Sequence, residues 1–510
     1  MQEHFRNNPK LEEKKEDNFL LISSSQIIAT GFKWNSVKTL EFWKRNNIIH
    51  RTTYSPVMEP DSGTSSADGR ALFPLYTITF IGTLGFGIIL TFLVFLVTDY
   101  GGNALVYGIL ASTYPAFQLI GAPVLGRWSD LYGRKKILLL SQIGTLLAWV
   151  IFFAALFFPV IPLLEVRSDL LGAFTVTLPL LALFFARALD GATGGNVSVA
   201  NAYLADLTSE EERNKNYGRM SVASNLGYVF GPAIAGILGT TVYGELLPVS
   251  VALLISVIGT FIVLFLLPDS RPCAIEEYPE STGIRKVLGQ EQKECYQVEA
   301  GSKITFREAF KLEYVPFMLI VYFLIFLGFN IYYTAFPIFA VVALEWSPAE
   351  LGIYFSVISA LMAFVQGPVL AKLAKKYRES ILVVAGGFIL GMQFILIIPG
   401  DFFLLYLAAV FFAFGNGIMW PSILSILSKF AGKKYQGSVQ GFAMSASSLA
   451  SIIGLLAGGL LYTQLGVISF LIAAAIIYLV VFLSLRLVRI EKDRLAETSV
   501  AEVSAEAPEK

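Results

Sequence analysis

Between Leu125 and Ile137 lies the segment Gly126-Arg127-Trp128-Ser129-Asp130-Leu131-Tyr132-Gly133-Arg134-Lys135-Lys136, in which five of eleven residues are charged. The apolar runs on either side carry no charge for about twenty residues, the length of a membrane span. A segment of this kind belongs at the water surface, and its excess of arginine and lysine predicts the cytoplasmic surface. The direction of every other apolar run follows from it. The chain of 510 residues is 55% hydrophobic and only 15% charged, against about 25% charge in soluble domains. Backbone groups inside lipid must be satisfied within the protein, and the runs are too long for barrel strands, so helices are expected.

Twelve apolar stretches are predicted as spans, at 74–98, 104–125, 137–158, 179–205, 218–239, 247–267, 316–343, 350–371, 381–398, 402–428, 436–461 and 466–486. Their connections sort by charge. One side collects Arg127 to Lys136, then Arg213, Lys215 and Arg219, then Arg271 to Lys311, then Lys372 to Arg378, then Lys429 to Lys434; the other side has only Arg167. This alternation predicts that both termini are cytoplasmic.

The expected organisation is a cytoplasmic, disordered N-terminal tail over 1–70, a six-helix bundle over 71–267, a cytoplasmic linker over 268–314, a second six-helix bundle over 315–487 and a cytoplasmic tail over 488–510. The linker should hold an amphipathic helix near Phe306 to Leu312, and the acidic, Ala- and Ser-rich C-terminal tail should be disordered. The segment from Met58 resembles a more usual start, which makes 1–57 a candidate over-extended gene start. Cys273 and Cys295 lie in the linker without ligand-like spacing, so no disulfide framework or metal site is expected. The halves repeat: Pro123-Val124-Leu125 corresponds to Pro368-Val369-Leu370, and Met220-Ser221 to Met444-Ser445. Parallel repeats of this type place a substrate site at the membrane midplane between them.

Three motifs carry the chemistry. Gly126 and Gly133 permit tight backbone around Asp130, which can face a helix N-terminus. In Arg187-x-x-Asp190-Gly191-x-x-Gly194-Gly195, Arg187 and Asp190 are the only deep charges. Each would cost about 2.5–3.5 kcal/mol at a helix centre if left unpaired, and three residues apart they share a helix face. They are either a structural ion pair or a coupling site. Burial favours the neutral acid at Asp190 and a neighbouring Arg187 the carboxylate. Gly227, Gly231, Ala235 and Gly236 make a small face for close helix packing, and Pro232 favours a kink there.

These motifs resemble the major facilitator superfamily. The first resembles the signature loop between its second and third helices, the second its helix 4 motif, and the third the helix 5 motif of its drug/proton antiporters; Leu267-Pro268-Asp269-Ser270 resembles the end of helix 6 in the same group. The likeness is greatest to tetracycline-resistance-type efflux transporters and covers 72–487. It implies an all-α, twelve-helix fold of two parallel six-helix repeats and a secondary active, proton-coupled antiporter exporting small amphipathic compounds. By resemblance, Arg134 pairs with Asp206 and Asp130 meets the eleventh helix near Gln440 and Gly441, forming a latch on the inner side, while the helix 5 motif seals against leak. The bland readings are that these charges only set topology and these glycines only pack. One departure is clear: the first span has Gly82, Gly85 and Gly87 but no acid before Asp99 at its end.

Polar and aromatic residues within the spans nominate a cavity: Tyr107, Tyr114, Gln118, Asn225, Tyr228, Asn330, Tyr333, Gln366, Gln393, Asn416 and Trp420. Equally, some are interhelical glue worth about 1 kcal/mol each. The expected partners are a small-molecule substrate, protons and the lipid bilayer of a plasma or bacterial inner membrane, with no nucleic acid and no cofactor, in a monomer. No P-loop is present to bring ATP drive. No nucleophile, base and metal constellation occurs, and both histidines, His4 and His50, lie in the tail, so an enzyme is not expected. Rival readings are a uniporter or symporter for a metabolite such as a sugar, and a non-transporting receptor or lipid-handling protein on the same scaffold.

Overall fold

A computed structural model describes residues 69–208, 210–268 and 311–506. The N-terminal tail with its candidate start at Met58, the two cysteines and nearly all of the expected linker helix lie outside these residues. Helices dominate: α1 (Gly69–Asp99), α2 (Ala104–Tyr132), α3 (Arg134–Ala155), α4 (Leu178–Ala192), α5 (Asn196–Leu207), α6 (Glu210–Gly239) and α7 (Leu246–Phe261) form the first half. The second half holds α8 (Val315–Ile338), α9 (Pro348–Phe364), α10 (Leu370–Lys376), α11 (Glu379–Leu396), α12 (Phe402–Leu465) and α13 (Ser469–Glu506).

Among the described residues ten helical stretches are long and apolar enough to cross a membrane. Two features account for the difference from twelve. The fourth expected span is broken into α4 and α5. The stretch Val439–Asp493 carries two spans divided at Gly466, whose φ of +56° turns the chain where an L side chain would be strained. The run α12 also carries two spans. Trp420 packs on Phe326 of α8 with ring centroids 4.6 Å apart, and Ser451 accepts a hydrogen bond from Asn330 of α8 at 3.1 Å. Phe326 and Asn330 are one turn apart, whereas a straight helix would separate residues 420 and 451 by about 46 Å. The run therefore folds back between them.

Two expectations need correction. A two-stranded antiparallel hairpin, β1 (Pro162–Ser168) and β2 (Gly172–Thr177), joins α3 to α4. Outside hydrocarbon no demand for internally satisfied backbone enforces a helix, and the Val, Phe and Thr of β2 suit a pleated ribbon. The C-terminal tail is helical as far as Glu506 where disorder was expected; its Ala, Glu, Lys, Arg and Leu are strong helix formers.

The halves meet through α2 with α12 and through α6 with α9, and glycines report where. A Cβ at Gly108 would lie 2.6 Å from the Leu455 carbonyl, and one at Gly459 2.5 Å from that of Ala104. A Cβ at Gly352 would lie 2.4 Å from the Pro232 carbonyl and 2.7 Å from the Gly236 Cα. These contacts are at the hairpin end of the spans. At the opposite end, by the charged turns, Gly126, Gly218, Gly367 and Gly441 have nothing within 4 Å of a built Cβ. Among the described residues the halves thus cross closely at the hairpin face, and these four charged-turn glycines mark no such crossing.

The hairpin ties across this closure. Gln464, at the end of α12, donates to the carbonyls of Asp169 (2.8 Å) and Leu170 (2.6 Å), while Asn103, the N-cap of α2, donates to that of Leu171 (2.9 Å). Each exposed bond of this kind is worth about 0.5–1.5 kcal/mol. Gln464→Ala should therefore widen the distribution of distances between spin labels placed at Leu170 and Val467; an unchanged distribution would show that the clasp does not hold this face shut.

Candidate functional site

The break between α4 and α5 organises the site. Thr193, Gly194 and Gly195 leave the α-helix, and their carbonyls find side-chain donors: the Ser141 hydroxyl bonds Thr193, Gln118 Nε2 bonds Gly194 at 2.9 Å, and the Ser198 hydroxyl bonds Gly195 at 2.9 Å. Irregular backbone at membrane depth persists only where protein or a cavity satisfies it. Here the second and third spans provide that support.

One turn before the break, Asp190 Oδ1 accepts from the Thr145 hydroxyl at 2.9 Å, and Asp190 Oδ2 lies 3.4 Å from Arg187 Nη1. The Arg187 side chain is 4% exposed, that of Asp190 14%. The guanidinium carbon sits 4.6 Å from the centroid of the Tyr114 ring, a cation–π contact. The two motif charges are thus neighbours, as their spacing requires.

They face different spaces. A cavity of about 490 Å³ lies between the halves and contains, in its wall, Tyr107, Tyr114, Gln118, Asn225, Tyr228, Asn330, Tyr333, Gln366, Asn416 and Trp420. Among the described residues Arg187 is its only charged wall residue; Asp190 does not line it. A second, smaller cavity within the first half is walled by both Arg187 and Asp190, with Tyr114, Gln142, Thr145, Trp149, Asn196 and Ser256. Gln393, also nominated from sequence, lines neither; it is fully buried in α11 with both amide atoms unpartnered by protein.

Sequence reasoning missed the apolar part of the large cavity: Phe86, Phe326, Phe329, Phe355 and Met362. Phe326 stacks obliquely on Trp420, and Phe329 lies 4.3 Å from Tyr333, so the wall is a continuous aromatic surface. The available signal was helical spacing: Phe326, Phe329, Asn330 and Tyr333 share one face of α8, and Met362 precedes Gln366 by one turn.

At the charged turn Gly133 adopts φ +98°, which only glycine tolerates freely, and α3 starts directly after it. Arg134 is buried and donates through Nε to Asp206 Oδ2 at 2.8 Å and through Nη1 to the Ser129 hydroxyl at 2.7 Å. Ser129 in turn bonds the Gly126 carbonyl at 2.6 Å. The tight backbone expected at Gly126 is not there: it sits within α2 with open space beside it. The Asp130 side chain lies outside the described residues. In the helix 5 motif, Gly227 and Gly231 pack on the backbone of α1, whereas Gly236 packs on Gly352 of α9; α6 runs through Pro232 without a break.

Two helical halves about a shared cavity narrow the choice of family, and a comparison decides it. The Major Facilitator Superfamily matches residues 75–454 and 318–508. The chain belongs to this superfamily. Relatives include the class D tetracycline resistance protein of Salmonella ordonez, 28% identical over 76% of this chain and 88% of that protein. Multidrug resistance protein 2 of Bacillus subtilis is 25% identical over 75% of this chain and 86% of its own length. Among solved structures, the human organic anion transporter MFSD10 (TETRAN) superposes with a TM-score of 0.57 at 21% identity, covering 82% of this chain and 99% of that one. The D-xylose-proton symporter gives 0.62 at 13% identity, over 81% and 97%. The fold is that of major facilitators, and the chain is a multi-pass membrane protein and secondary transporter of small molecules.

Proposed function

We propose that the chain is a proton-coupled antiporter exporting small amphipathic compounds, with Asp190 as the coupling carboxyl and the large cavity as the substrate site. The observation that carries this reading is the buried Arg187–Asp190 pair beside a broken span, with Arg187 shared between the substrate-sized cavity and the smaller chamber. The resistance proteins among the relatives support export. Among the described residues Asp190 is the only carboxyl lining either space. The charged-turn face is the cytoplasmic one in this reading, with both termini, the linker over 268–314 and the C-terminal tail on that side of a plasma or bacterial inner membrane. The protein works as a monomer. The state closed at the hairpin face is then inward-facing, with Gly236 of the helix 5 motif at the seal on the outer side.

A second reading, co-transport of an anionic metabolite with protons, is favoured by one observation: among the described residues the only charge facing the large cavity is the cationic Arg187. Purified protein in liposomes, screened against amphipathic cations, anions and sugars under an imposed pH gradient, separates the two. Antiport drives substrate toward the acidic side, co-transport away from it, and a uniporter shows neither.

The latch is read in a modified form. Arg134 and Asp206 lie in the same half, so their bond organises the turn and leaves the cross-half contact to Asp130 and the start of the eleventh span. Asp130→Asn should cut transport while the protein still inserts, and raise thiol labelling of cavity cysteines from the charged-turn side. Normal transport at normal expression would leave these charges only a topological role.

A further inference from the structure

The smaller chamber holds polar groups that the protein does not satisfy. Arg187 Nε, Gln142 Oε1 and Ser256 Oγ are buried without a hydrogen-bond partner, and all three residues line this one space of about 60 Å³ next to Asp190. Gln142, Arg187 and Ser256 are each no more than 3% exposed. They come from α3, α4 and α7, so the cluster is a built site and not a local accident of one helix.

The chemistry of the three groups selects the occupant. Arg187 Nε is only a donor, Gln142 Oε1 is only an acceptor, and the Ser256 hydroxyl is either. A sodium ion would serve the acceptors, leave the guanidinium donor unmet and add a positive charge beside it. An anion would serve the donors but sit against the Asp190 carboxyl. Water both donates and accepts, and so is the one occupant whose chemistry suits all three. A buried water needs about 10–15 Å³ of such space and two to four polar partners, so the chamber has room for more than one.

Building on the coupling role proposed for Asp190, we infer that the chamber binds a water cluster through which Asp190 receives and releases its proton, with Gln142 and Ser256 as positioning residues for those waters. The groups facing Asp190 are few: Arg187 on its own helix, Tyr114 from α2 and Thr145 from α3, with Tyr107 and Tyr228 lining the large cavity that Arg187 also faces. The substrate cavity and the chamber share Arg187 and Tyr114 in their walls.

Infrared difference spectroscopy of the full chain in liposomes, between acid and neutral pH, tests this without a known substrate. The carbonyl band of protonated Asp190 is identified by its loss in Asp190→Asn. In Gln142→Leu/Ser256→Ala the band should rise in frequency, as a carboxyl does on losing hydrogen bonds, and its exchange in heavy water should slow about tenfold or more, in line with misplaced proton-transfer groups. Ser256→Thr, which keeps the hydroxyl, should behave as the parent, and Ser256→Ala alone carries the test if the double variant does not assemble. A band lost in Asp190→Asn but unchanged in the double variant overturns the chamber and leaves the coupling role of Asp190 standing. A band that moves with sodium overturns the water assignment. No band assignable to Asp190 removes both readings.

Discussion

Asp190→Asn should leave the protein assembled and able to exchange substrate down its gradient, but unable to concentrate it when a pH gradient is imposed. One-to-one coupling to a gradient of about one pH unit sustains about tenfold accumulation, and the variant should show none. The amide can still accept from Thr145, which lies 2.9 Å from the carboxylate, so the local hydrogen bond survives while the exchangeable proton does not. A purely structural pair predicts something else. Removing one partner of a buried pair costs about 3–5 kcal/mol by stranding the other charge, so Asp190→Asn would assemble poorly and Arg187→Gln/Asp190→Asn would assemble better. Uptake driven by pH and surviving in Asp190→Asn would end the coupling role.

Gly352→Val should open the hairpin face and nearly stop transport. Its Cβ would sit 2.4 Å from the Pro232 carbonyl and 2.7 Å from the Gly236 Cα, both backbone atoms that cannot swing aside. Overpacking of this type costs about 1–3 kcal/mol. Because the clash exists only where α6 and α9 meet, the closed hairpin face bears the cost, and about 1–3 kcal/mol moves a two-state equilibrium about 5–150-fold. With Cys273 and Cys295 replaced by serine, a single cysteine at Ala111, which lines the large cavity, reports the change. Its labelling by a membrane-impermeant thiol reagent should rise from the hairpin side and fall from the other. Unchanged labelling would mean that closure does not depend on this crossing.

How much of this was legible in the residues follows from what hydrocarbon enforces. In a background of leucine and phenylalanine each polar side chain stands out, so Asn225, Asn330, Gln366 and Asn416 could be nominated and all line the large cavity. Gln393 shows the limit: polarity marks a buried residue without saying which space it faces. The aromatic wall was illegible for the opposite reason, since Phe326 and Phe329 look like lipid-facing residues until α8 is rotated against its neighbours. The fourth span was expected to run unbroken through Thr193-Gly194-Gly195, and the carbonyls freed by the break there find donors in Gln118 and Ser141. The hairpin lies beyond the membrane, where neither span length nor charge bias constrains the chain. The closure of the hairpin face was beyond reach altogether, because it depends on backbone distances across the halves, such as the contact of Gly236 with Gly352.

The central claim is that proton movement and substrate movement are one process. Purified protein in lightly buffered liposomes with a trapped pH dye tests it most directly, after a substrate gradient is imposed without any pH gradient or ATP. Internal pH should shift with substrate flux in the parent protein, in the direction set by antiport, and the shift should vanish in Asp190→Asn while substrate still equilibrates. Substrate flux in the parent protein with no change in internal pH would contradict it.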